Sequence, residues 1–488
     1  MSDQTAVSQI KTIITPIAPR LSQQRAAHPT SLRALPETLV IPVLLVAHLL
    51  LGPLLVFAPV LTGLHVLSVL ALGVWWAILS PRTERVLYIC AYITGAEVLW
   101  RMADSPLFWE FGKYAVIGVL LLTALRSNRL RGPVLPLIFF ALLLPSTVLP
   151  LANLDSTELR KQVSFNLSGP LALAVCTWFF AQTALTGVLL RRMFLSLVLP
   201  IVSIGALTLT GILSAKELSF NNSSNFATSG GFGPNQVSAV LGFGALLIFL
   251  WLFDKEQSRG LKLTMIAVML FLMAQSALTF SRGGLYAAGA SALVAAYFLV
   301  RDRRTRLRLA VGLGVLLVVV NFALLPVLDQ FTGGALTKRF ADTKLSGRDQ
   351  IVLSDLQVFY DHMIFGVGPG QARQYREGHN KAAAHTEFSR LLAEHGLFGL
   401  TALILMLVLA IRHFLNAQTP EAKAAVAALT LWSFLCMASV AMRTVAPAFT
   451  FGLAAALMLF SAPAPVPATP PSLENRFAPG RFTPGLSR

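Results

Sequence analysis

The sequence predicts an all-α polytopic membrane protein with about 12–14 transmembrane helices and one large loop that contains short helices. Of its 488 residues, 55% are hydrophobic and only 12% are charged, which is far from the composition of soluble globular domains. Apolar runs of about 17 to 22 residues recur along nearly the whole chain, and each is long enough to cross a roughly 30 Å hydrocarbon core as a helix. These two observations define the fold class.

Fourteen apolar runs are predicted to span the membrane. They occupy residues 39–57, 61–80, 85–101, 112–127, 132–151, 168–189, 193–214, 234–253, 261–280, 284–300, 308–327, 396–413, 424–441 and 445–461. The fourth is short, and Gly52-Pro53 interrupts the first. The resulting regions are a cytoplasmic N-terminal tail (1–37), helices 1–11 (38–327), a large loop (328–395), helices 12–14 (396–461) and a proline-rich cytoplasmic tail (462–488). Both tails are expected to be disordered, because they are polar or proline-rich.

The net charge of +17 follows the positive-inside rule and does not indicate a nucleic-acid partner. If the N-terminus is cytoplasmic, the inside segments carry 24 of the 39 Lys and Arg residues, and 8 of the other 15 lie in the large loop. The basic run at 301–308 is then a cytoplasmic anchor. The large loop, residues 216–233 and the turn around Ser281 all lie outside, so this topology predicts an active site at the outer face.

Several classes of site and cofactor are not indicated by the sequence. The three cysteines fall inside predicted spans without a CxxC pair or nearby ligands, so neither a disulfide framework nor a zinc site is expected. The chain has no Walker A motif and no DxD, which argues against an ATPase and against a metal-held nucleotide-sugar. We therefore expect no cofactor and no metal. Because no apolar core precedes Leu39, no cleavable signal peptide is expected.

The segment Lys381–Leu400 contains the most informative histidine, His385. The apolar residues from Phe388 onward have helical spacing, and Gly396 supplies a left-handed residue that ends such a helix. His385 is therefore predicted to lie at a helix start, where the positive end of the dipole disfavours imidazolium. A neutral imidazole is the state that a general base needs, although a lone histidine is more often structural.

Two arginines on the same predicted side are candidates for binding an anion. Arg282 lies in the SRGG turn between two spans, and arginine at membrane depth is costly unless it has a role. Arg348 follows Ser346-Gly347 and opens a predicted helix whose apolar positions include Val352. The alternatives are a snorkelling side chain for Arg282, and a solvated helix start paired with Asp349 or Asp355 for Arg348.

Two glycine-rich segments and one carboxylate are further candidates for contacts with a substrate. In Gly366-Val367-Gly368-Pro369-Gly370-Gln371, Gly368 and Gly370 could expose amides to an anion, although such a segment is more often a turn. Asn235 could bind sugar hydroxyls or phosphate oxygens, or cap the helix that Pro234 begins. Glu387 faces away from His385 on a regular helix and is a candidate of second rank.

Two other titratable groups of the same segment are predicted to be structural. Arg390 and Glu394 are spaced i,i+4 on the predicted helix and should pair with each other. His395 lies at the C-terminal end of that helix and is interpreted as structural.

Together SRGG, GVGPGQ and HTEFSRLLxExG, which lie between about Asn221 and Gly399, resemble the O-antigen ligase and O-antigen (exopolysaccharide) polymerase superfamily of bacterial membrane proteins. The first half of the chain is similar only in being a run of membrane spans. In that family the histidine is commonly followed by Asn or Ser, whereas this chain has Thr386, then Glu387 and Phe388.

The resemblance implies a GT-C-like membrane glycosyltransferase of the inner membrane whose active site faces the periplasm. Its donor would be an undecaprenyl-diphosphate-linked glycan, and neither a nucleotide nor a metal is implied. Arg282 and Arg348 match the arginines that hold the diphosphate, and His385 matches the essential histidine. Asn235, Gly368 and Gly370 would be supporting contacts.

The sequence leaves the acceptor open between two enzymes. A polymerase transfers the growing chain onto another lipid-linked repeat unit, and a ligase transfers the finished chain onto lipid A-core. Fourteen spans favour the polymerase, because ligases more often resemble twelve-span proteins. Membrane lipids are expected partners, and a chain-length regulator is left open. A transporter or flippase of lipid-linked sugars is a third alternative, but no internal repeat and no path of polar residues through the spans is visible.

Overall fold

The computed structural model describes residues 36–152, 155–253, 256–300, 303–342, 347–376 and 384–460. Residues 1–35 and 461–488 lie outside the described residues, and these ranges contain nearly all of the two predicted tails. Ser346 also lies outside the described residues. The helices are α1 (Glu37–Phe57), α2 (Pro59–Leu79), α3 (Thr83–Met102), α4 (Phe111–Arg126), α5 (Leu135–Ala141), α6 (Ser156–Phe180), α7 (Gly187–Ser214), α8 (Pro234–Leu252), α9 (Arg259–Leu278), α10 (Arg282–Leu299), α11 (Arg303–Val319), α12 (Leu325–Phe331), α13 (Ala335–Ala341), α14 (Arg348–Asp361), α15 (Glu387–Asn416), α16 (Pro420–Val440) and α17 (Ala446–Leu453).

Helices of membrane-spanning character dominate this fold. Nine helical segments in the described part of the chain are long and apolar enough to cross a bilayer, which confirms an all-α polytopic membrane protein. Short 3₁₀ segments lie at Pro145–Ala152, Ala227–Ser229 and Ala372–Tyr375, and a π-helical segment continues α11 at Val320–Leu324. Two three-residue strands, β1 (Ala184–Thr186) and β2 (Leu457–Leu459), pair in parallel.

In the described residues nine helical segments have the length and hydropathy of a span, against fourteen predicted, and three of the predicted spans also differ in their secondary structure. Residues 132–151 form α5 and a separate 3₁₀ segment, since Pro145 and Pro150 cannot donate the backbone hydrogen bonds of a continuous helix. Residues 445–461 form the eight-residue α17 and then β2, whose Leu457 N–H donates to Thr183 O (3.0 Å). The predicted span 168–189 begins earlier, because Asp155 caps α6 through the N–H groups of Thr157 and Glu158.

The predicted polar motifs meet at one end of the helix bundle. Arg101, at the end of α3, donates to the carbonyl of Arg443 in the turn between α16 and α17 (3.0 Å). Arg443 in turn donates to the carbonyl of Ala384, just before α15 (3.0 Å). At the same end, the N–H of Asn225 donates to the carbonyl of Thr279 after α9 (2.9 Å). The ends of α3, α16 and the start of α15 therefore border one region.

Glycines allow close approach of the helices that carry the SRGG motif. A Cβ on Gly284 of α10 would overlap the carbonyl oxygen of Ser238 in α8, and a Cβ on Gly242 would overlap the Gly284 carbonyl. Small residues at such crossings permit the tight backbone packing that stabilises helices in lipid. Gly284 therefore serves helix packing and does not turn the chain.

A partly buried polar network between α1, α2 and α3 is centred on Tyr92. The Nε2 atoms of His48 (3.2 Å) and His65 (3.0 Å) both contact the Tyr92 hydroxyl, and Trp100 Nε1 donates to His65 Nδ1 (3.0 Å). Because Trp100 donates to Nδ1, a neutral His65 carries its proton on Nε2 and donates it to Tyr92. Tyr92 is then free to donate to His48, so the network is a directed chain of hydrogen bonds.

The short helix α14 of the large loop packs against α15. α12 continues the candidate span Ala310–Phe331, and α13 follows it. α15 bends at Gly396, whose φ of 58° confirms the left-handed glycine expected there. The segment before the bend and the membrane span after it are one element, so the residues that precede Gly396 are fixed to the bundle.

Candidate functional site

His385 lies one residue before Thr386, which caps α15 by accepting a hydrogen bond from the Phe388 N–H (3.3 Å). Its side chain is half-buried, and its Nδ1 has no hydrogen-bond partner among the described residues. Burial, and to a smaller extent the nearby charges of Arg443, Arg348 and Arg376, lower the pKa of His385 to about 4. The neutral imidazole agrees with the prediction, but the main cause is burial and not the helix dipole.

Arg348 is the first residue of α14, on the same face as the buried Ile351 and Asp355. It forms no ion pair with a carboxylate in the described part of the chain. The alternative of pairing with Asp355 is wrong, since the Asp355 carboxylate accepts hydrogen bonds from Arg376 (2.5 Å and 3.0 Å) and from Ser389 Oγ (2.7 Å). Burial lowers the pKa of Arg348, as do the charges of Arg339 and Arg282.

Arg282 is the first residue of α10, directly after the short turn that follows α9, and does not lie inside the turn as predicted. Its Nη1 contacts the carbonyl oxygen of Arg339 at 3.5 Å. Arg339 is buried and donates to the carbonyls of Phe280 (3.0 Å) and Asn222 (2.9 Å). Arg282, Arg339 and Arg348 therefore form one cluster of cations, which we call the arginine cluster.

Arg339 was not singled out from the sequence, although it lies in the same large loop. The basic pair Lys338-Arg339 in an otherwise apolar stretch after Gly333-Gly334 was the available signal. What the sequence could not supply is the fold-back of α13 onto the turn before α10. The left-handed Phe280 (φ 58°) presents its carbonyl to the Arg339 guanidinium.

Asn235 lies next to the SRGG turn. Its Oδ1 accepts a hydrogen bond from the Ser281 hydroxyl (2.8 Å), and Ser281 directly precedes Arg282. The alternative of Asn235 as a helix cap is wrong, because α8 begins at Pro234 with Gly233 before it and no side-chain cap. Asn235 therefore orients the turn that carries Arg282, and its contact with a substrate stays a prediction.

The glycine-rich segment Gly366–Gln371 is a turn that fastens the start of α15. Gly366, Gly368 and Gly370 all have positive φ, which favours glycine. The Gly368 N–H donates to the carbonyl of Glu394 (2.9 Å), so the expectation that this amide faces an anion is wrong. A Cβ on Gly370 would overlap the side-chain amide of Gln162 in α6, so this glycine permits close packing.

A buried ion cluster holds the first turns of α15. Arg390 Nη1 pairs with Glu394 Oε2 (2.6 Å), which confirms the predicted pair, and Arg390 Nη2 pairs with Glu387 Oε1. The other Glu387 oxygen accepts from the N–H of Met442 (3.2 Å). Glu387 therefore links α15 to the turn after α16, and its role as a substrate contact stays a prediction.

His395 is a structural histidine, as the sequence analysis predicted. It is fully buried, and its Nδ1 lies 2.5 Å from the Ser146 hydroxyl in the 3₁₀ segment after α5. This contact connects the end of the first part of α15 to the first half of the chain.

Arg443 is a site residue that the sequence analysis did not identify. Its side chain donates to the carbonyl of Ala384, the neighbour of His385, and its own carbonyl accepts from Arg101 (3.0 Å). Arg101 is itself held by Glu97 (2.6 Å). The signal was available, since Arg443 lies in a short gap between two apolar runs, as Arg282 does.

A cavity of about 780 Å³ lies beside Ala384 and Arg443, and His385 itself is not among its lining residues. Arg376 and the buried ion cluster of α15 also line it, and the first half of the chain contributes residues from 108–110 and 158–166. Arg282 and Arg348 do not line it. His385 therefore has the arginine cluster as one neighbour and this cavity as the other.

The arrangement combines fixed positive charge with a neutral imidazole. Guanidinium groups remain protonated and bind phosphate oxygens with geometrically matched hydrogen bonds. In the ranges the structure describes, no group of three or more His, Cys, Asp or Glu side chains is placed to hold a metal ion. The site can therefore bind an anionic group at the arginine cluster and accept a proton at His385.

Fold and site together define a polytopic membrane protein with a cationic site at one end of its helix bundle. A family model described as O-antigen ligase matches residues 276–404, which include Arg282, Arg348 and His385. This match covers 129 of the 488 residues and supports the resemblance to the O-antigen ligase and polymerase superfamily found in the sequence. The protein is thus a membrane enzyme of the O-antigen ligase or polymerase type. No curated protein matches the chain.

Proposed function

We propose that the protein transfers a glycan from undecaprenyl diphosphate to an acceptor hydroxyl at the periplasmic face of the bacterial inner membrane. The observation that carries this proposal is the arginine cluster beside a neutral histidine. The charge of Arg348 interacts with that of Arg282 and lowers the pKa of His385, so the three predicted catalytic residues lie within electrostatic reach of one another. A diphosphate and a reacting hydroxyl need these two kinds of group side by side.

The arginine cluster would bind the diphosphate of the donor. When the glycosidic bond breaks, the electron pair leaves with the diphosphate oxygen and negative charge develops there. Arg282 and Arg348 can stabilise this charge, and removal of one such donor of hydrogen bonds costs about 10²–10³ in rate in other enzymes. With the charge balanced in this way, the reaction needs no divalent cation.

His385 would be the general base of an inverting displacement. The acceptor oxygen attacks the anomeric carbon, its proton passes to the imidazole, and the lipid diphosphate leaves from the opposite face. In the free enzyme His385 is a weak base, because burial and three arginines lower its pKa to about 4. Binding of the anionic diphosphate offsets the arginine charges and raises that pKa, so the base becomes effective when the donor is bound.

For the acceptor we propose another lipid-linked repeat unit, which makes the enzyme a polymerase. Ligation onto lipid A-core is the second candidate, and two observations favour it. The matching family model is described as O-antigen ligase, and two of the fourteen predicted spans on which the polymerase preference depends do not form continuous helices.

A deletion strain complemented with variants tests this proposal. His385→Ala, Arg282→Ala and Arg348→Ala should each abolish the long glycan at normal protein levels, as resolved by size on a gel. His362→Ala and Arg259→Ala are matched controls, since both side chains are exposed and stand outside the site. A single repeat on the final acceptor would indicate a polymerase. Long chains retained on the lipid carrier would indicate a ligase. An unchanged profile for His385→Ala would contradict the catalytic role.

A further inference from the structure

The cavity beside Ala384 has walls of a different character from the arginine cluster. Three exposed aromatic side chains, Phe108, Trp109 and Phe165, face a region that also has amide and charged groups. Aromatic faces pack against the apolar faces of pyranose rings, and polar side chains bind the hydroxyl groups at their edges. Its volume of about 780 Å³ is that of a ligand site.

Many polar groups of the cavity are already used inside the protein. Arg376 pairs with Asp355, and Arg390 pairs with Glu387 and Glu394. Arg160 and Lys161, on the first turns of α6, are exposed, and neither forms an ion pair with an acidic side chain in the described ranges. Trp109 is stacked on Phe232 (5.8 Å between ring centroids) and has the Arg101 guanidinium over its ring (4.3 Å to the centroid), so the recognition groups open to a ligand are the two cations and the exposed ring of Phe165.

The cavity ends beside His385, and the arginine cluster lies outside it. Ala384 lines the cavity and directly precedes His385, and the lining residue Arg443 donates to the Ala384 carbonyl (3.0 Å), whereas Arg282 and Arg348 do not line the cavity. A ligand in the cavity can thus come close to His385 without occupying the arginine cluster. An in-line displacement needs this separation, because the attacking hydroxyl and the leaving group lie on opposite faces of the sugar.

We propose that this cavity binds the acceptor saccharide and holds its reacting hydroxyl toward His385. The proposal builds on the glycan transfer proposed above and names the part of the protein that receives the second substrate. In this proposal the first half of the chain selects the acceptor, through α6 and the turn between α3 and α4. The occupant is an oligosaccharide, held by ring stacking on Phe165 and by Lys161.

Binding of an oligosaccharide tests the proposal without turnover. The probe is the oligosaccharide released by mild acid from the polysaccharide of the source cells, added to purified His385→Ala protein in lipid discs. Phe165→Ala and Lys161→Gln in this background should each weaken its Kd about tenfold or more, as truncation of anchor residues does at other interfaces. Both side chains are exposed, so the substitutions leave the fold intact.

Two substitutions at the same end of the bundle are matched controls. Phe226→Ala and Lys216→Gln change exposed residues that do not line the cavity, and neither should change the Kd. Binding of inorganic diphosphate should show the reverse pattern, with weakening by Arg282→Ala and no effect of Phe165→Ala.

The results separate this inference from the proposed function. If Phe165→Ala and Lys161→Gln bind the oligosaccharide as tightly as the parent protein, the cavity is not the acceptor site. Equal weakening of diphosphate binding by Phe165→Ala would also overturn the inference, because the cavity would then belong to the donor. Normal oligosaccharide binding by wild-type protein that transfers no glycan would contradict the proposed function alone.

Discussion

Asp355→Asn should separate the helix that carries Arg348 from the segment that carries His385. The Asp355 carboxylate is fully buried in α14 and accepts from Arg376 and from Ser389 in α15. The substitution removes the negative charge opposite a guanidinium whose side chain is only 2% exposed.

The magnitude follows from the burial of the pair. Loss of one partner of a buried ion pair costs about 3–5 kcal/mol, and each 1.4 kcal/mol is a factor of ten in an equilibrium constant. The opening of α14 from α15 should therefore become more favourable by about two to three and a half orders of magnitude. Because Arg348 moves away with α14, we expect transfer activity to fall strongly while most of the transmembrane bundle stays folded.

Transfer activity and limited proteolysis in lipid discs measure the two effects. Asp355→Asn should lose activity and become sensitive to protease within residues 347–376. Asp349→Asn is the matched control, since it makes the same change at an exposed position of the same helix and should leave both properties unchanged. Wild-type activity and protease resistance in Asp355→Asn would refute the structural role given to this pair.

Three further predictions concern the imidazole, the glycine turn and the histidine network. Since the pKa of His385 is lowered to about 4, kcat/KM should stay constant from about pH 8 down to pH 5 and fall only toward pH 4. Arg443→Gln should move this fall to higher pH, because one of the charges that lower the pKa is removed; an unchanged profile would show that Arg443 does not act on the imidazole. Gly370→Ala should lower the thermal unfolding temperature, because the residue has φ of 76° and no room for a Cβ, whereas Gly289→Ala, with open space around it, should not. Tyr92→Phe should reduce the free energy of unfolding by about 1–2 kcal/mol in a denaturant titration, since two histidines lose their shared partner; no change would show that the network adds nothing to stability.

The local features of this fold could be predicted from the sequence. Hydrophobic runs located most of the helices, and Gly396 and the SRGG turn were identified because their signals lie within a few neighbouring residues. The predicted spans 132–151 and 445–461 were wrong for a related reason. Their composition is apolar enough to cross a membrane, but prolines in one and strand pairing in the other decide the actual structure.

The parts of the site that depend on distant contacts could not be predicted. Asp355 binds Arg376 and not Arg348, and the choice depends on how α14 folds against α15. The cavity needs residues near 109 and 162 to lie beside residue 384, a separation in sequence that no local pattern encodes. Arg443 was not predicted as a site residue, although it lies in a short segment between two predicted spans, as Arg282 does.

The most direct test of the account is glycan transfer by the purified protein in lipid discs. With undecaprenyl-diphosphate-linked repeat units from the source cells as the substrate, wild type should release undecaprenyl diphosphate in equal amount to the new glycosidic bonds, in buffer that contains a metal chelator. His385→Ala should release no undecaprenyl diphosphate and form no new glycosidic bond, while it still binds inorganic diphosphate at the arginine cluster. Equal rates for wild type and His385→Ala would contradict the central claim that this neutral histidine beside the arginines carries out the transfer.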